Sequence, residues 1–569
     1  MCKVISFSFY MLCSCSFFAQ ENWTSNTSPT YEGLILHLKD VSAANGFIEL
    51  YNMGNSDHGL PIYVCIVNGA QDSSKTFKKA RSETTVLFNN AIHPGEPDGI
   101  NASLLWLEEL IADRQLLEKM PLVAFVPAYN IGGMLNRSAT SRANQNGPEA
   151  YGFRGNAQNL DLNRDFIKMD SKNAFVFTKL FHGLNPDVFV DNHVSNGADY
   201  QYTLTYISSL DARLPRSLRK LKNESFIPAL EKGLLANHGL DLFPYVDLKG
   251  RTPDEGIQSF NDLPRYSMGY TSLFQTLSFT VETHMLKPFP QRVKATLAFM
   301  KELINWVGEH EGLIEMARNE AFQEVQNKGV FYYDYQPSSE IDSIYFKGFK
   351  HSFPEHKITN LKRLKYDSSF PYERFIPFFN HFESKREITI PQSYYVSRQE
   401  RDVIKRLKAN KVEMRKITSD TILTLGVFEV VGYTPSEKPY EGHFRLNDVN
   451  IKREIREVKL KVGDFYVSSV QPSAAFIHSV LQPESEDSYL SWNFFDSYLQ
   501  QKEYFSSYVF IDKIEEILRN NPGLNKEYKK RKRNDEDFRT SEWEQLYFIY
   551  KQSPYYERSV NILPIYFSP

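Results

Sequence analysis

The sequence predicts an α/β fold, a sheet with helices on both faces, followed by a β-rich region and then a helical one. Three observations carry that prediction. Between residues 60 and 310, apolar runs alternate with amphipathic stretches of helical period. From about Lys328 the texture changes to short segments rich in Tyr and Phe, such as Gly329-Val-Phe-Tyr-Tyr333 and Ile422-Leu-Thr-Leu425. From 483 to 569 the chain is aromatic and helical in flavour. The expected division is a leader over 1–19, a first domain over 20–327, a β-rich accessory region over 328–482 and a helical C-terminal region over 483–569.

The first element is a targeting segment. Lys3 precedes an apolar stretch, Val4 to Phe18, too short to span a bilayer and ending in the small residue Ala19. This pattern predicts export with cleavage near Ala19; lipid anchoring at Cys15 is a weaker alternative, because Leu-Cys-Ser-Cys fits a lipoprotein signal poorly. Of four cysteines, three lie in this segment, so the processed chain keeps only Cys65 and has no internal disulfide. The sequons at Asn22, Asn26, Asn101, Asn136 and Asn223 carry glycans only in a glycosylating host.

Strands are expected at Leu60 to Val67, Thr84 to Ile92, Leu122 to Ala128, Val188 to Asp191 and Leu277 to Val281. Helices are expected from Asn101, over Ala174 to His182, and from Gln291, where Val293, Leu297, Met300 and Ile304 keep helical spacing. In the β-rich region one helix is opened by Ser397-Arg-Gln-Glu400, read as a capping box. The formal net charge is −3 with signs interspersed, which excludes a global field for nucleic acid or an anionic membrane. The run Lys529 to Arg533 is followed at once by Asn-Asp-Glu-Asp and reads as a solvated helix end. Nothing after the leader resembles a transmembrane helix.

The chemistry gathers at strand ends. The second expected strand runs into His93-Pro-Gly-Glu96; with thirteen histidines in the chain, about one such spacing arises by chance, so the motif alone decides nothing. However, Asp187-Val-Phe-Val-Asp-Asn-His193 ends a strand in histidine, Leu277 to Glu282 ends one in glutamate, and a loop after Leu122 to Ala128 leads to Asp161-Leu-Asn-Arg164. Ligands collect at the carboxyl ends of strands in open α/β sheets, so these residues point to one site. His182 and His284 are weaker candidates, the former at a helix stop and the latter two residues past a better-placed glutamate.

In this order, His93-Pro-Gly-Glu96, His193, Asn163-Arg164 and Glu282 resemble the zinc metallocarboxypeptidase family of the carboxypeptidase A type, over roughly residues 60 to 310. The wording HPGE and DLNR, with an arginine nine residues before Asn163, is closest to the cytosolic branch of that family. The resemblance implies a mixed sheet in a catalytic domain over 20–327, and one Zn²⁺ per chain held by His93, Glu96 and His193, a donor set known for carboxypeptidase A. It further implies Asp161 as the acceptor behind His93 and Glu282 as general base. Arg154 is the oxyanion cation, with Arg142 as the other candidate. Asn163 and Arg164 clamp the substrate's terminal carboxylate through a bidentate fork, and Tyr270, with Tyr266 as the alternative, closes over the substrate.

The function so implied is an exported carboxypeptidase acting on peptide or protein C-termini. The same metal centre also serves a deacylase or cell-wall peptide amidase, and a binding protein with a spent site is disfavoured because every key position is filled.

Overall fold

The computed structural model describes residues 23–569. The expected leader and Cys15 lie outside the described residues. The N-terminal half is built on an eight-stranded mixed sheet in the order Ile48–Asn55, Pro61–Val67, Leu122–Val126, Thr85–Asn89, Val188–Ser195, Leu277–His284, Leu204–Ser208, Leu242–Pro244. The central four strands, from Leu122–Val126 to Leu277–His284, run parallel, and antiparallel strands flank them. All eight residues of Val188–Ser195 are buried, so both faces of that strand are covered, as parallel strands require.

Each expected strand is present. The edge strands Ile48–Asn55 and Leu242–Pro244, and Leu204–Ser208 next to the latter, are not legible in the sequence, because short, partly exposed strands lack a continuous apolar run. The three expected helices are Asp98–Ala112, Lys172–Leu184 and Phe289–Glu309. Ser171 caps the second through its side chain, which accepts from Ala174 N. The first and third pack together and are pinned by a buried ion pair, Arg292 Nε to Asp98 Oδ1 at 2.8 Å. The rest of that guanidinium donates to the carbonyls of Asn146, Gly147 and Lys287, which satisfies a charge that burial would otherwise penalise.

The C-terminal half holds a six-stranded sheet and several helices. Its last strand, Ile562–Phe567, lies between Ser393–Val396 and Thr421–Pro435, so residues after 483 also contribute to this sheet. Residues on the two sides of Lys328 share structure as well: Ile257–Gln258 pairs with Phe378–Phe379, and the main apolar core runs from Trp23 to Ile565. The expected capping box does not form. The helix Arg401–Ala409 has Glu400 at its N-cap without a side-chain cap, because that carboxylate receives the Tyr498 hydroxyl instead. No helix among the described residues is long and apolar enough to cross a membrane.

Candidate metal centre and catalytic site

Three strand ends build the centre. After Thr85–Asn89, Ala91 takes a left-handed backbone (φ 55°), a conformation unfavourable for a residue with a Cβ, and throws the chain into the His93–Glu96 turn. The turn closes with Glu96 N donating to His93 O at 2.8 Å. Asn130, just past Leu122–Val126, holds it from behind: its side-chain amide donates to Ile92 O and Arg154 O, and its oxygen caps the next short helix at Gly133 N. The loop approaches closely at Gly95, where a Cβ would lie 2.6 Å from Arg142 Nε and 3.1 Å from Gly152 O and would displace the Arg142 side chain. The third strand end carries His193, and Glu282 stands directly beside it in the parallel register.

His93, Glu96 and His193 are buried and offer ligand atoms within 4.8 Å of one another. Both imidazoles are oriented alike. His93 turns Nε2 to Asp161 Oδ1 (3.0 Å) and Nδ1 to Glu96 Oε1 (3.2 Å). His193 turns Nε2 to Asp191 Oδ2 (3.1 Å) and Nδ1 to Glu96 Oε2 (3.0 Å). Each ring therefore gives one nitrogen to an outer carboxylate and the other to the centre, an arrangement that fixes metal-binding tautomers. Two buried atoms facing this space, His93 Nδ1 and Glu282 Oε2, have no hydrogen-bond partner, and His193 Nε2, though 3.1 Å from Asp191 Oδ2, is not aligned for a hydrogen bond to it. Two imidazole nitrogens and one carboxylate suit zinc, so the residues present fit that ion.

Electrostatics reinforce the arrangement. Burial would raise the Glu96 carboxyl, but Arg142, His93 and His193 hold it well below the usual carboxylate range. Asp161 is likewise held low, by His93, Arg154 and Arg164 against its burial. Burial disfavours charging His193, yet Asp191 and Glu96 favour its protonated form, with which a metal ion would compete. Glu282 moves the other way: burial and the nearby Glu96 push its carboxyl up to about 8, against the pull of His193 and Arg154. A cation at the triad would lower it again.

The triad opens into a cavity of about 190 Å³. Arg142, Arg154, Asn163, Arg164, Tyr266 and Glu282 all line it. Arg142 pairs with Glu96 Oε1, while Arg154 places Nε 2.9 Å from Asp161 Oδ2 and Nη1 3.7 Å from Glu96 Oε1. Asn163 Oδ1 accepts from Ser267 N (2.9 Å), and its carbonyl accepts from Arg164 Nη1 (2.8 Å). The Arg164 guanidinium lies 4.5 Å over the Tyr266 ring. Ile207, Tyr245, Phe260, Met268 and Thr280 line the cavity as well, with Val194, Ser195 and Asn196 beyond His193.

Tyr270 is corrected. It is fully buried, donates to Asn410 Oδ1 at 2.6 Å and packs on Phe166, Phe181 and Phe274, outside the cavity. Tyr266 sits at the N-cap of Ser267–Ser272 with extended backbone, so its ring diverges from that of Tyr270 into the cavity. The two weaker histidine candidates are also elsewhere. His182 is near the Tyr270 hydroxyl (3.3 Å), and His284 uses both nitrogens, on Ala198 O and Leu286 N.

Sequence reasoning missed Asp191, although its position two residues before His193 on a strand puts both side chains on one face. It also missed Glu441, which reaches in from the loop between Thr421–Pro435 and Leu446–Leu460 to accept from Asp161 N at 2.7 Å. Nothing local to Glu441 signals that contact.

A family model described as zinc carboxypeptidase matches residues 37–188. This span includes His93, Glu96, Asp161 and Arg164 and ends before His193 and Glu282. Among curated relatives, Carboxypeptidase 2 of Trichophyton tonsurans is 22% identical over 442 residues, covering 73% of this chain and 74% of its own. Carboxypeptidase 2 of Trichophyton rubrum is 22% identical over 444 residues, covering 74% and 76%. Among solved structures, the metallo-carboxypeptidase of Burkholderia cenocepacia (14% identity, TM-score 0.36) is matched over 49% of this chain and 69% of that one. Carboxypeptidase A of Helicoverpa armigera (13% identity, TM-score 0.37) is matched over 52% and 75%. Over residues 37–188 the chain is therefore similar to the zinc carboxypeptidase family, and the triad's third residue, His193, stands just beyond the matched span.

Proposed function

We propose that this chain is an exported carboxypeptidase, holding one zinc per chain, that removes the C-terminal residue of peptides and proteins. The observation that supports it is the opening of Arg164, Glu282 and the His93–Glu96–His193 triad onto one small cavity. When bound at the triad, zinc supplies Lewis acidity that activates water and polarises a carbonyl.

This chain's residues do the rest. Arg164, stacked on Tyr266 and backed by Asn163, receives the terminal carboxylate in a two-point fork that fixes which peptide bond meets the centre. Glu282 takes the proton of the attacking water and returns it to the leaving amine. Arg154 offers a second positive charge where the carbonyl oxygen becomes anionic. Tyr266 covers the bound residue. Apolar walls at Ile207, Phe260 and Met268 favour an apolar or aromatic terminal side chain. Export rests on the apolar stretch Val4 to Phe18.

The test is a peptide panel, with free and amidated C-termini, assayed before and after chelation. Chelator-sensitive loss of one residue from free acids is the expected result. Equal cleavage of acids and amides would favour an amidase or deacylase and would leave Arg164 a structural role.

A further inference from the structure

The strands Asp342–Ser352 and Lys365–Phe379 form an antiparallel arm. Its root is tied to the catalytic half: Gln201 Nε2 donates to Gly348 O and Tyr372 O at 3.0 and 3.1 Å, and Phe378 pairs beside Ile257. Its far end is an ordered turn. Arg363 N donates to Pro354 O (3.0 Å), His356 N to Leu361 O (2.9 Å) and Asn360 N to His356 O (2.8 Å), with Asn360 in the left-handed region (φ 53°).

The apex of this turn is aliphatic. Ile358 is 85% exposed and Leu361 69% exposed, at positions where turns ordinarily carry small polar residues. Within residues 350–365 there are five cations, Lys350, Lys357, Lys362, Arg363 and Lys365, against one carboxylate, Glu355. None of the five forms an ion pair among the described residues. Two large aliphatic side chains held in water, ringed by unpaired positive charge, are unfavourable for a surface that meets only solvent.

We propose that this arm docks the enzyme on an anionic lipid surface, with Ile358 and Leu361 entering the headgroup layer and the surrounding cations facing lipid phosphates. An acidic protein or a nucleic acid answers the charges but leaves the two aliphatic groups wet. A neutral apolar groove answers the aliphatic groups but strips water from the cations. A lipid interface meets both requirements across one boundary, apolar below and anionic above. The root of the arm pairs with Ile257–Gln258, close in sequence to Phe260 of the catalytic cavity, so docking would hold the cavity in a set relation to the surface.

The test is flotation of the zinc-loaded chain with vesicles of phosphatidylcholine, with and without phosphatidylglycerol. Wild type should float with the anionic vesicles only and be released by salt of about 0.5 M, where screening becomes short-ranged. Ile358→Asp with Leu361→Asp, and separately Lys357→Glu with Lys362→Glu, should each weaken vesicle binding by roughly tenfold or more while hydrolysis of soluble peptides and Tm stay unchanged. The substitutions are on exposed positions, and unchanged soluble activity shows that the fold is intact. Failure of wild type to float with anionic vesicles would overturn the proposal. So would full binding by the Ile358/Leu361 variant alongside loss in the charge variant, because that pair of results describes a purely electrostatic surface.

Discussion

Asp191 and His193 stand two residues apart on one strand, and the carboxylate Oδ2 lies 3.1 Å from the imidazole Nε2. Asp191 is itself held by Asn89 Nδ2 at 3.0 Å and by the Ser267 hydroxyl, so it is a fixed negative charge beside His193 Nε2 that favours a proton there and leaves Nδ1 to face the centre. Ser267 N in turn bonds Asn163, which joins the orientation of a metal ligand to that of the substrate clamp.

The first prediction follows from that pairing. Asp191→Asn should weaken zinc binding by roughly ten- to a hundredfold, the usual cost of losing the group behind a ligating imidazole. Asp161→Asn should do the same through His93. Competition with a chromophoric chelator measures both, and unchanged affinity in either would remove that carboxylate from ligand orientation.

Glu282→Gln keeps size and shape but cannot accept a proton. The variant should retain zinc and KM, while kcat falls by roughly two to four orders of magnitude. Near-normal turnover in the zinc-loaded variant would exclude Glu282 as the base.

Arg164 separates an exopeptidase from an amidase. Charge-assisted hydrogen bonds to a carboxylate contribute about 1.5–3 kcal/mol each, so the wild type should discriminate against amidated peptides by on the order of a hundredfold in kcat/KM. Arg164→Ala should lose most of that preference by slowing the free acid and leaving the amide little changed. A preserved preference would move the clamp elsewhere.

The two tyrosines should behave oppositely. Tyr266→Phe and Tyr266→Ala should alter kcat/KM with little change in Tm. Tyr270→Phe should leave kinetics intact but cost about 1–3 kcal/mol of stability, because the buried Asn410 Oδ1 loses its donor. Equal kinetic defects in the two positions would contradict this division.

Acid should unfold the chain partly through buried histidines. Burial lowers His182 from the model-compound value of 6.5 to about 4 and His478 to about 3. Both are neutral in the fold and take up protons more readily when unfolded. Their contribution is complete above about pH 6.5 and is lost as pH falls from there toward the folded values. Urea midpoints should therefore decline from pH 6.5 to 4, and His478→Gln should flatten that slope. A midpoint unchanged by pH in this window would refute the assignment.

Much of the site was legible in the chain itself. Buried parallel strands write themselves as short apolar runs, and a polar residue that ends such a run must lie at the sheet's carboxyl edge, so His93, Glu96, His193 and Glu282 were identifiable from local pattern. What remained depended on contacts between distant segments. Tyr266 and Tyr270 are four residues apart and would share a face in a continuous helix; only the N-cap position of Tyr266 sends one ring to the cavity and the other into the core. Arg142 and Arg154 belong to one long loop whose path no periodicity describes, and both guanidinia reach toward Glu96 only because Asn130 and the close approach at Gly95 fold that loop over the turn. Glu441 touches the Asp161 backbone across 280 residues of sequence, a separation over which composition and spacing carry no information. Local sequence thus determined which chemical groups end the strands, whereas tertiary packing decided which nitrogen, which arginine and which ring each of them meets.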